Sequence, residues 1–404
     1  MQKVSPEFLR IAFATQEYIT EQSFDGGIAN YISRTARALA ARGHDIHVVT
    51  LSTIDQAEFE HSGVLVHRVP FGKTWLQLNR LTRYRFTTTM HLLGASTGIY
   101  QKLKTLNSEQ PFDLIQSPNC SCCGLLSTLF LRVPHVLRAS WYEPAWHEAD
   151  SSPRNLDSRL VAMLENYQLR SSRHVYAPSV TLKEILSDRG GMSNVQVIPS
   201  TFLPDCDEWD YSIYDQFTKA KKYLLFFGRF ELRKGFHTLA QALPRFLHEH
   251  PDASVVMIGR DKQSAIAPSM ANYARSLCGS QAARLTILGQ MPHRQLYPII
   301  EGAHLVALPS LIDNMPNACL EAMALGKAVV GTHDGSFAEL IDDGKTGFLV
   351  AADDVQALSQ KISDAWTNPD LPEIGKAARA RADDFRPEKS TEALLHYYRQ
   401  ILQA

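Results

Sequence analysis

Short runs of apolar, often β-branched residues alternate along this chain with stretches whose apolar positions recur every three to four residues. RIAFAT reads as a buried strand, a polar loop ends in Asp25-Gly26-Gly27, and IANYISRTARALAARG reads as a helix stopped by Gly43 before the strand HDIHVVTL. The order returns in the second half. There YLLFFGRF is the strand, ELRKG the loop and FHTLAQALPRFLHEH the helix, with Phe236, Leu239, Ala240, Leu243, Phe246 and Leu247 holding a helical period before the strand ASVVMIG. Both are βαβ units, which demand parallel strands and right-handed crossovers. FDLIQS and VPHVLRAS continue the first half, and RLTILGQ, AHLVALPS, KAVVGTH and TGFLVAA the second, as short strands suited to parallel sheets covered on both faces.

The stretch from Val197 to Phe217, rich in prolines and acids, breaks the pattern and reads as a linker. The predicted organisation is therefore α/β, with two Rossmann-like doubly wound domains, 1–200 and 201–385, facing across a cleft at the carboxyl ends of their strands. The last helix, within 386–404, is expected to cross back to the first domain.

Composition narrows the classes. The 404 residues are 45% apolar with a net charge of −1, enough for two cores and without the basic excess of a nucleic-acid binder. No apolar run reaches the roughly 18 residues of a membrane span, and the N-terminus lacks the features of a secretory signal, so a cytoplasmic protein is expected. Six cysteines, three of them in NCSCCG, are read as buried thiols, because no second ligand pair follows Cys120 and Cys123 at zinc-finger spacing.

The stretch richest in chemistry is PSLIDNMPNACLEAMALG, Pro309 to Gly326. Pro316 suits the first helical position and Gly326 the stop, which places Asp313 just before a short helix. Asn317 and Glu321 then share one face, beside an apolar stripe of Leu320, Met323 and Ala324. Backbone N–H groups from Met315 to Ala318 would lie at the positive end of the helix, where a phosphate is favoured. Taken singly, Asp313 reads as an N-cap and Glu321 as a solvated edge; their neighbours change that. The loop after YLLFF holds Gly228, Arg229 and Lys234-Gly235, two cations ahead of a helix, as a diphosphate leaving group requires. Neither a P-loop nor the G-x-G-x-x-G dinucleotide fingerprint is present. Gly26-Gly27 before a helix allow close backbone approach to a ligand.

GGIANY, FGRFELRKG, PSLIDNMPNACLEAMALGKAVV and THDGSFAELIDDGKTGFLV together resemble the retaining glycosyltransferases of family 4, which have the GT-B fold, in the family's order and over nearly the whole chain. The resemblance implies that Arg229 and Lys234 neutralise the diphosphate of a nucleotide-sugar donor, with Gly26 and Gly27 approaching from the first domain. It implies that Asp313 and the backbone of Asn314, Met315, Pro316 and Asn317 hold the donor sugar. Glu321 would take the ribose hydroxyls, and Arg260 and Met291 would cradle the base. No metal and no further cofactor is implied, and a UDP-sugar is favoured over a GDP-sugar.

Two departures stand out. Asp313 occupies a position where the family most often has Glu, and the loop after VPHVLRAS runs Ser140-Trp141-Tyr142-Glu143 where the family often has a donor-contacting His. The nearest later histidine is His147, read either as a pocket residue or as a surface one.

The resemblance implies transfer of a hexosyl group with retention by front-face departure, to a saccharide or lipid-linked saccharide in polysaccharide or glycoconjugate assembly. A sugar-nucleotide 2-epimerase of the same fold and a non-catalytic donor-binding module are the alternatives. From His61 to Ser108 there is no Asp or Glu, while Arg68, Lys73, Arg80, Arg83, Arg85, Lys102 and Lys104 interleave with Trp75, Leu76, Leu78, Leu81, Tyr84 and Phe86. That stretch is either a solvated basic helix or a face for the cytoplasmic membrane surface.

Overall fold

The computed structural model describes residues 7–21, 27–70, 73–150, 154–202, 204 and 208–403. The chain divides into two compact units: 1–144, 153–202 and 386–404 form unit 1, and 145–152 with 203–385 form unit 2.

Unit 1 begins β1 (Arg10–Thr15), α1 (Gly27–Ala40), β2 (Asp45–Leu51), β3 (Glu58–His61) and β4 (Val64–Val69). It continues through α2 (Lys73–Leu81), α3 (Thr87–Glu109), β5 (Leu114–Pro118), α4 (Leu125–Phe130) and β6 (His135–Arg138), after which α5 (Glu143–Asp150) starts in unit 1 and has its residues from 145 onward in unit 2. α6 (Leu156–Ser171), β7 (His174–Ala177), α7 (Val180–Asp188) and β8 (Val195–Val197) complete this run. The eight strands lie in the order β3-β4-β2-β1-β5-β6-β7-β8. Every pair is parallel except β3 with β4. β1 can sit centrally because RIAFAT is apolar on both faces: Ile11 and Phe13 enter one core layer, Ala12 and Ala14 the other.

Unit 2 opens with α8 (Ser212–Phe217), β9 (Tyr223–Phe227), α9 (Phe236–Glu249), β10 (Ser254–Ile258), α10 (Met270–Cys278), β11 (Leu285–Leu288) and α11 (His293–Gly302). Then come β12 (Leu305–Ala307), α12 (Asn317–Ala324), β13 (Val329–Thr332), α13 (Phe337–Leu340), β14 (Phe348–Val350), α14 (Val355–Trp366) and α15 (Leu371–Ala382). Its six strands run β11-β10-β9-β12-β13-β14, all parallel. The direction of strand addition reverses between β9 and β12, and a parallel sheet takes its ligand in the crevice at such a switch point.

The final helix, α16 (Pro387–Gln403), belongs to unit 1. Leu394, Leu395, Tyr398 and Ile401 enter the core layer that α1 covers, and Tyr398 donates to Gln116 on β5. Its crossing back follows from that four-residue apolar stripe, which needs a sheet face to cover.

Three local expectations change. Pro316 is the N-cap of α12, with ψ 92°, rather than its first residue; its carbonyl already accepts from Cys319 and Leu320, which is the N-cap's role. The apolar stripe is Leu320 and Met323 without Ala324, which is half-buried, and Glu321 is itself 6% exposed. Arg68 and Lys102 are drawn out of the basic stretch by ion pairs to Glu21, Asp55 and Glu58. Gly326 does stop the helix. With φ 73° it lets its own N–H reach Met323 and that of Lys327 reach Ala322, a paired closure that needs a left-handed residue.

Candidate active site

At the switch point of unit 2 the loop after β9 meets the loop after β12. The β9 loop leaves the sheet at Gly228, and Gly235 turns it into α9 with φ 65°. A Cβ at Gly235 would lie 1.7 Å from the Pro309 carbonyl oxygen, so only glycine lets the two loops approach. The contact is reinforced by the Leu311 N–H donating to the Arg233 carbonyl at 2.9 Å. The consequence is an ion pair between Lys234 Nζ and Asp313 Oδ2.

Asp313 is anchored on its other side as well. Its Oδ1 accepts from the Asn314 N–H at 3.0 Å, and its carbonyl accepts from the Ser336 N–H at 3.2 Å. Ser336 Oγ also donates to the Asn314 carbonyl at 2.5 Å, and Gly335, at φ 74°, leaves no room for a side chain against the Asp313 N–H. Burial pushes the Asp313 carboxyl up, but the Lys234 ammonium, with Arg233 and the Asn314 N–H, outweighs it and holds the group below its usual range. An ionised acceptor therefore sits beside a cation at the N-terminal end of α12.

Arg229 belongs to a second cluster. Glu231, 9% exposed, pairs with Arg229 at 3.3 Å, Arg233 at 2.6 Å and Lys262 at 3.6 Å, and Arg233 also reaches Asp150 at 3.6 Å. One buried carboxylate thus fixes three cations near the same strand ends. The sequence reading missed Glu231, Arg233 and Lys262, although the first two lie inside the quoted ELRKG loop; charge in a short loop does not reveal which side chain faces inward.

Glu321, on α12, has His293 Nε2 3.5 Å from its Oε1, and the His293 ring stacks on Tyr297 at 5.2 Å. His293 was also missed, its only sequence signal being its place after the GQMP turn. Arg260, at the end of β10, donates to Gln290 at 3.1 Å. It lines an open cleft of about 310 Å³ with Phe230, Gly259, Asp261, Ile287, Leu288, Gly289 and Gln290. Met291 follows Gln290 in the chain, half-buried and next to that lining rather than in it.

The remaining candidates fall elsewhere. Gly27 is the first residue of α1 in unit 1, with open space where a side chain would be, and Gly26 lies outside the described residues. His147 lies on α5, half-buried. Met315 is 7% exposed, while Asn317 opens α12 half-buried. Burial pushes the thiols of Cys120, Cys122 and Cys123 up, Cys123 to about 12, which leaves them un-ionised at neutral pH; Cys206 lies outside the described residues. Among the described residues no helix is long and apolar enough to cross a membrane.

Similarity to known proteins runs through both units. Residues 26–201 match the glycosyl transferase 4-like domain and residues 221–368 the glycosyl transferases group 1 domain. Glycogen synthase of Mycobacterium tuberculosis is 25% identical over 380 residues, covering 89% of this chain and 87% of that protein. Phosphatidyl-myo-inositol mannosyltransferase of Mycolicibacterium smegmatis is 24% identical over 366 residues, covering 89% and 86%. Among solved structures, sucrose-phosphate synthase from Thermosynechococcus elongatus superposes with a TM-score of 0.76 at 20% identity over 97% of this chain and 99% of that one. HepE of Anabaena, solved in complex with UDP-glucose, gives 0.68 at 18% identity over 96% and 98%.

Proposed function

Since the chain belongs to the family 4-like GT-B glycosyltransferases, we propose that it is a retaining hexosyltransferase taking its sugar from a UDP-sugar such as UDP-glucose. The observation that carries this reading is the Lys234–Asp313 ion pair at the switch point. It sets a cation suited to the donor's β-phosphate directly beside an ionised acceptor suited to hydroxyls of the donor sugar. The neighbouring Arg229 adds a second cation for the diphosphate, held through Glu231. Glu321 is assigned to the ribose hydroxyls and the Arg260 cleft to the base. Binding of UDP-glucose in the HepE structure, which shares the fold, supports a UDP-sugar donor.

In the proposed reaction the bond between the anomeric carbon and the diphosphate oxygen breaks while the acceptor hydroxyl bonds to the same face of that carbon. The acceptor's proton passes to the departing diphosphate oxygen. Arg229 and Lys234 stabilise the negative charge that builds there, and Asp313 holds the sugar rather than attacking it. A double displacement would require a carboxylate nucleophile, and Asp313 is already engaged by Lys234.

The test is a thermal-shift screen of nucleotide sugars. A ligand at a hundred times its dissociation constant stabilises the folded state by about 2.7 kcal/mol. UDP-glucose is expected to raise the melting temperature and to release UDP and retained-anomer glucose slowly without acceptor. Release of a 2-epimerised sugar would identify an epimerase, and binding without release a donor-binding module.

One surface favours a lipid-linked saccharide as acceptor. Between α2 and α3, Leu81 is 80% and Tyr84 64% exposed, and Arg80, Arg83 and Arg85 beside them are exposed too. Among the described residues, none of these three arginines has an ion-pair partner. Apolar tips among unneutralised cations suit an anionic membrane surface.

A further inference from the structure

Glu321 leaves α12 between Leu320 and Ala322, both fully buried, so its backbone is fixed while its carboxylate hangs on three rotatable bonds. A head free to turn would have to be ordered by each incoming ligand, at a cost in side-chain entropy. α11 removes that freedom. Its first residue, His293, sets Nε2 at 3.5 Å from Glu321 Oε1, and the imidazole is the more exposed of the two, 29% of its side chain against 7%. Facing a carboxylate, that nitrogen carries a proton, and an N–H dipole and an imidazolium alike attract the oxygen.

The ring is itself held. Tyr297, one helical turn on and 1% exposed, lies against it with ring centres 5.2 Å apart and planes 10° from parallel. The chain also reaches His293 directly from the cleft assigned to the base. Leu288, Gly289 and Gln290 line that cleft, Arg260 fixes Gln290, and three residues later the same loop delivers the imidazole to Glu321. One short loop thus ties the base cleft to the carboxylate, and the base and sugar of a nucleoside need such a fixed spacing.

We propose that His293 is a positioning residue of the donor site: it holds the Glu321 carboxylate for the 2′ and 3′ hydroxyls of the ribose, and so sets how strongly the chain prefers a ribonucleotide donor to a deoxyribonucleotide one. This rests on the assignment of Glu321 to the ribose in the transferase reading above. His293 acts through Glu321 and does not touch the ligand. Its effect therefore depends on whether those hydroxyls are present, whereas a histidine that merely ties α11 to α12 would affect every nucleotide alike.

The experiment is isothermal titration of the full chain with UDP, 2′-deoxy-UDP and 3′-deoxy-UDP, with circular dichroism melting as the folding check. The variants are His293→Phe, which keeps a ring against Tyr297 without the N–H, His293→Gln, whose amide can stand in for Nε2, Glu321→Leu, and the double variant His293→Phe, Glu321→Leu. The parent is expected to prefer UDP to both deoxy compounds. In His293→Phe that preference should fall about fivefold, the scale of one hydrogen bond, with affinity for the deoxy compounds unchanged and much of the preference restored in His293→Gln. In the double variant the loss should equal that of Glu321→Leu alone, because a residue acting through another adds nothing once its partner is gone. Weakening of all three nucleotides by the same factor in His293→Phe, or a preference equal to the parent's, overturns the proposal while leaving Glu321 on the ribose. A full preference in Glu321→Leu overturns the ribose assignment and this proposal with it, and a parent that binds no UDP overturns the donor reading as well.

Discussion

Lys234 and Asp313 stand 79 residues apart in sequence and meet as an ion pair because two loops close on one glycine. If Lys234 stabilises the departing diphosphate, Lys234→Ala should lower kcat for donor hydrolysis about a hundredfold or more while KM moves little. Steady-state release of UDP measures this, and an unchanged kcat would remove Lys234 from the reaction. Glu165 in unit 1 makes a separate prediction. It is 2% exposed, its Oε1 accepts from the Ser121 N–H at 2.8 Å, and burial pushes its carboxyl up to about 8. The folded chain therefore binds a proton that the unfolded chain gives up near pH 4.5. Stability from this group is fully present below that pH and is lost as pH rises through about 8. Glu165→Gln keeps an acceptor for Ser121 and should flatten the decline. Urea midpoints at pH 6 and 9 measure the difference, and an equal decline in both proteins would refute the assignment.

At the scale of elements, the site depends on how loops leave strands. Gly235→Ala places a Cβ against the Pro309 carbonyl and a side chain on a left-handed backbone. The backbone term alone costs about 1–2 kcal/mol, and the clash should also displace Lys234 from Asp313. Loss of both stability and donor binding is expected, read by urea unfolding and by thermal shift with UDP-glucose. An alanine variant with parental values would show that the loops need not touch. Much of this layer was legible beforehand. The repeated βαβ pattern, the stop at Gly326 and the return of α16 follow from apolar spacing and turn glycines. β3 was not legible, because EFEH alternates polar and half-buried positions at an antiparallel edge and carries no apolar run. The one-residue shift at Pro316 arises because proline suits both the N-cap and the first helical position, and only the carbonyl's bonds to Cys319 and Leu320 distinguish them.

For the whole molecule, the exposed tip between α2 and α3 predicts association with anionic lipid. Co-sedimentation with phosphatidylglycerol vesicles at low salt is expected, falling as salt rises and lost in a Leu81→Ser, Tyr84→Ser, Arg83→Glu variant. Absence of binding by the parent would leave the acceptor reading without its membrane side. The stretch that suggested this in sequence was longer than what survives, since Arg68 and Lys102 turned out to be neutralised from β3, the loop before it and the region after β1. Charge pairing between distant segments is not a property of any one segment.

The sequence by itself determined the alternating strand and helix layers, the two-part organisation it predicted and the residue types suited to a nucleotide-sugar site, because periodicity, turn glycines and local charge act over a few residues. Tertiary structure alone decided that Lys234 closes on Asp313, that Glu231 gathers three cations and that His293 backs Glu321. Those outcomes depend on which strand ends the sheet order brings together, and sheet order is set by long-range packing that no local pattern encodes.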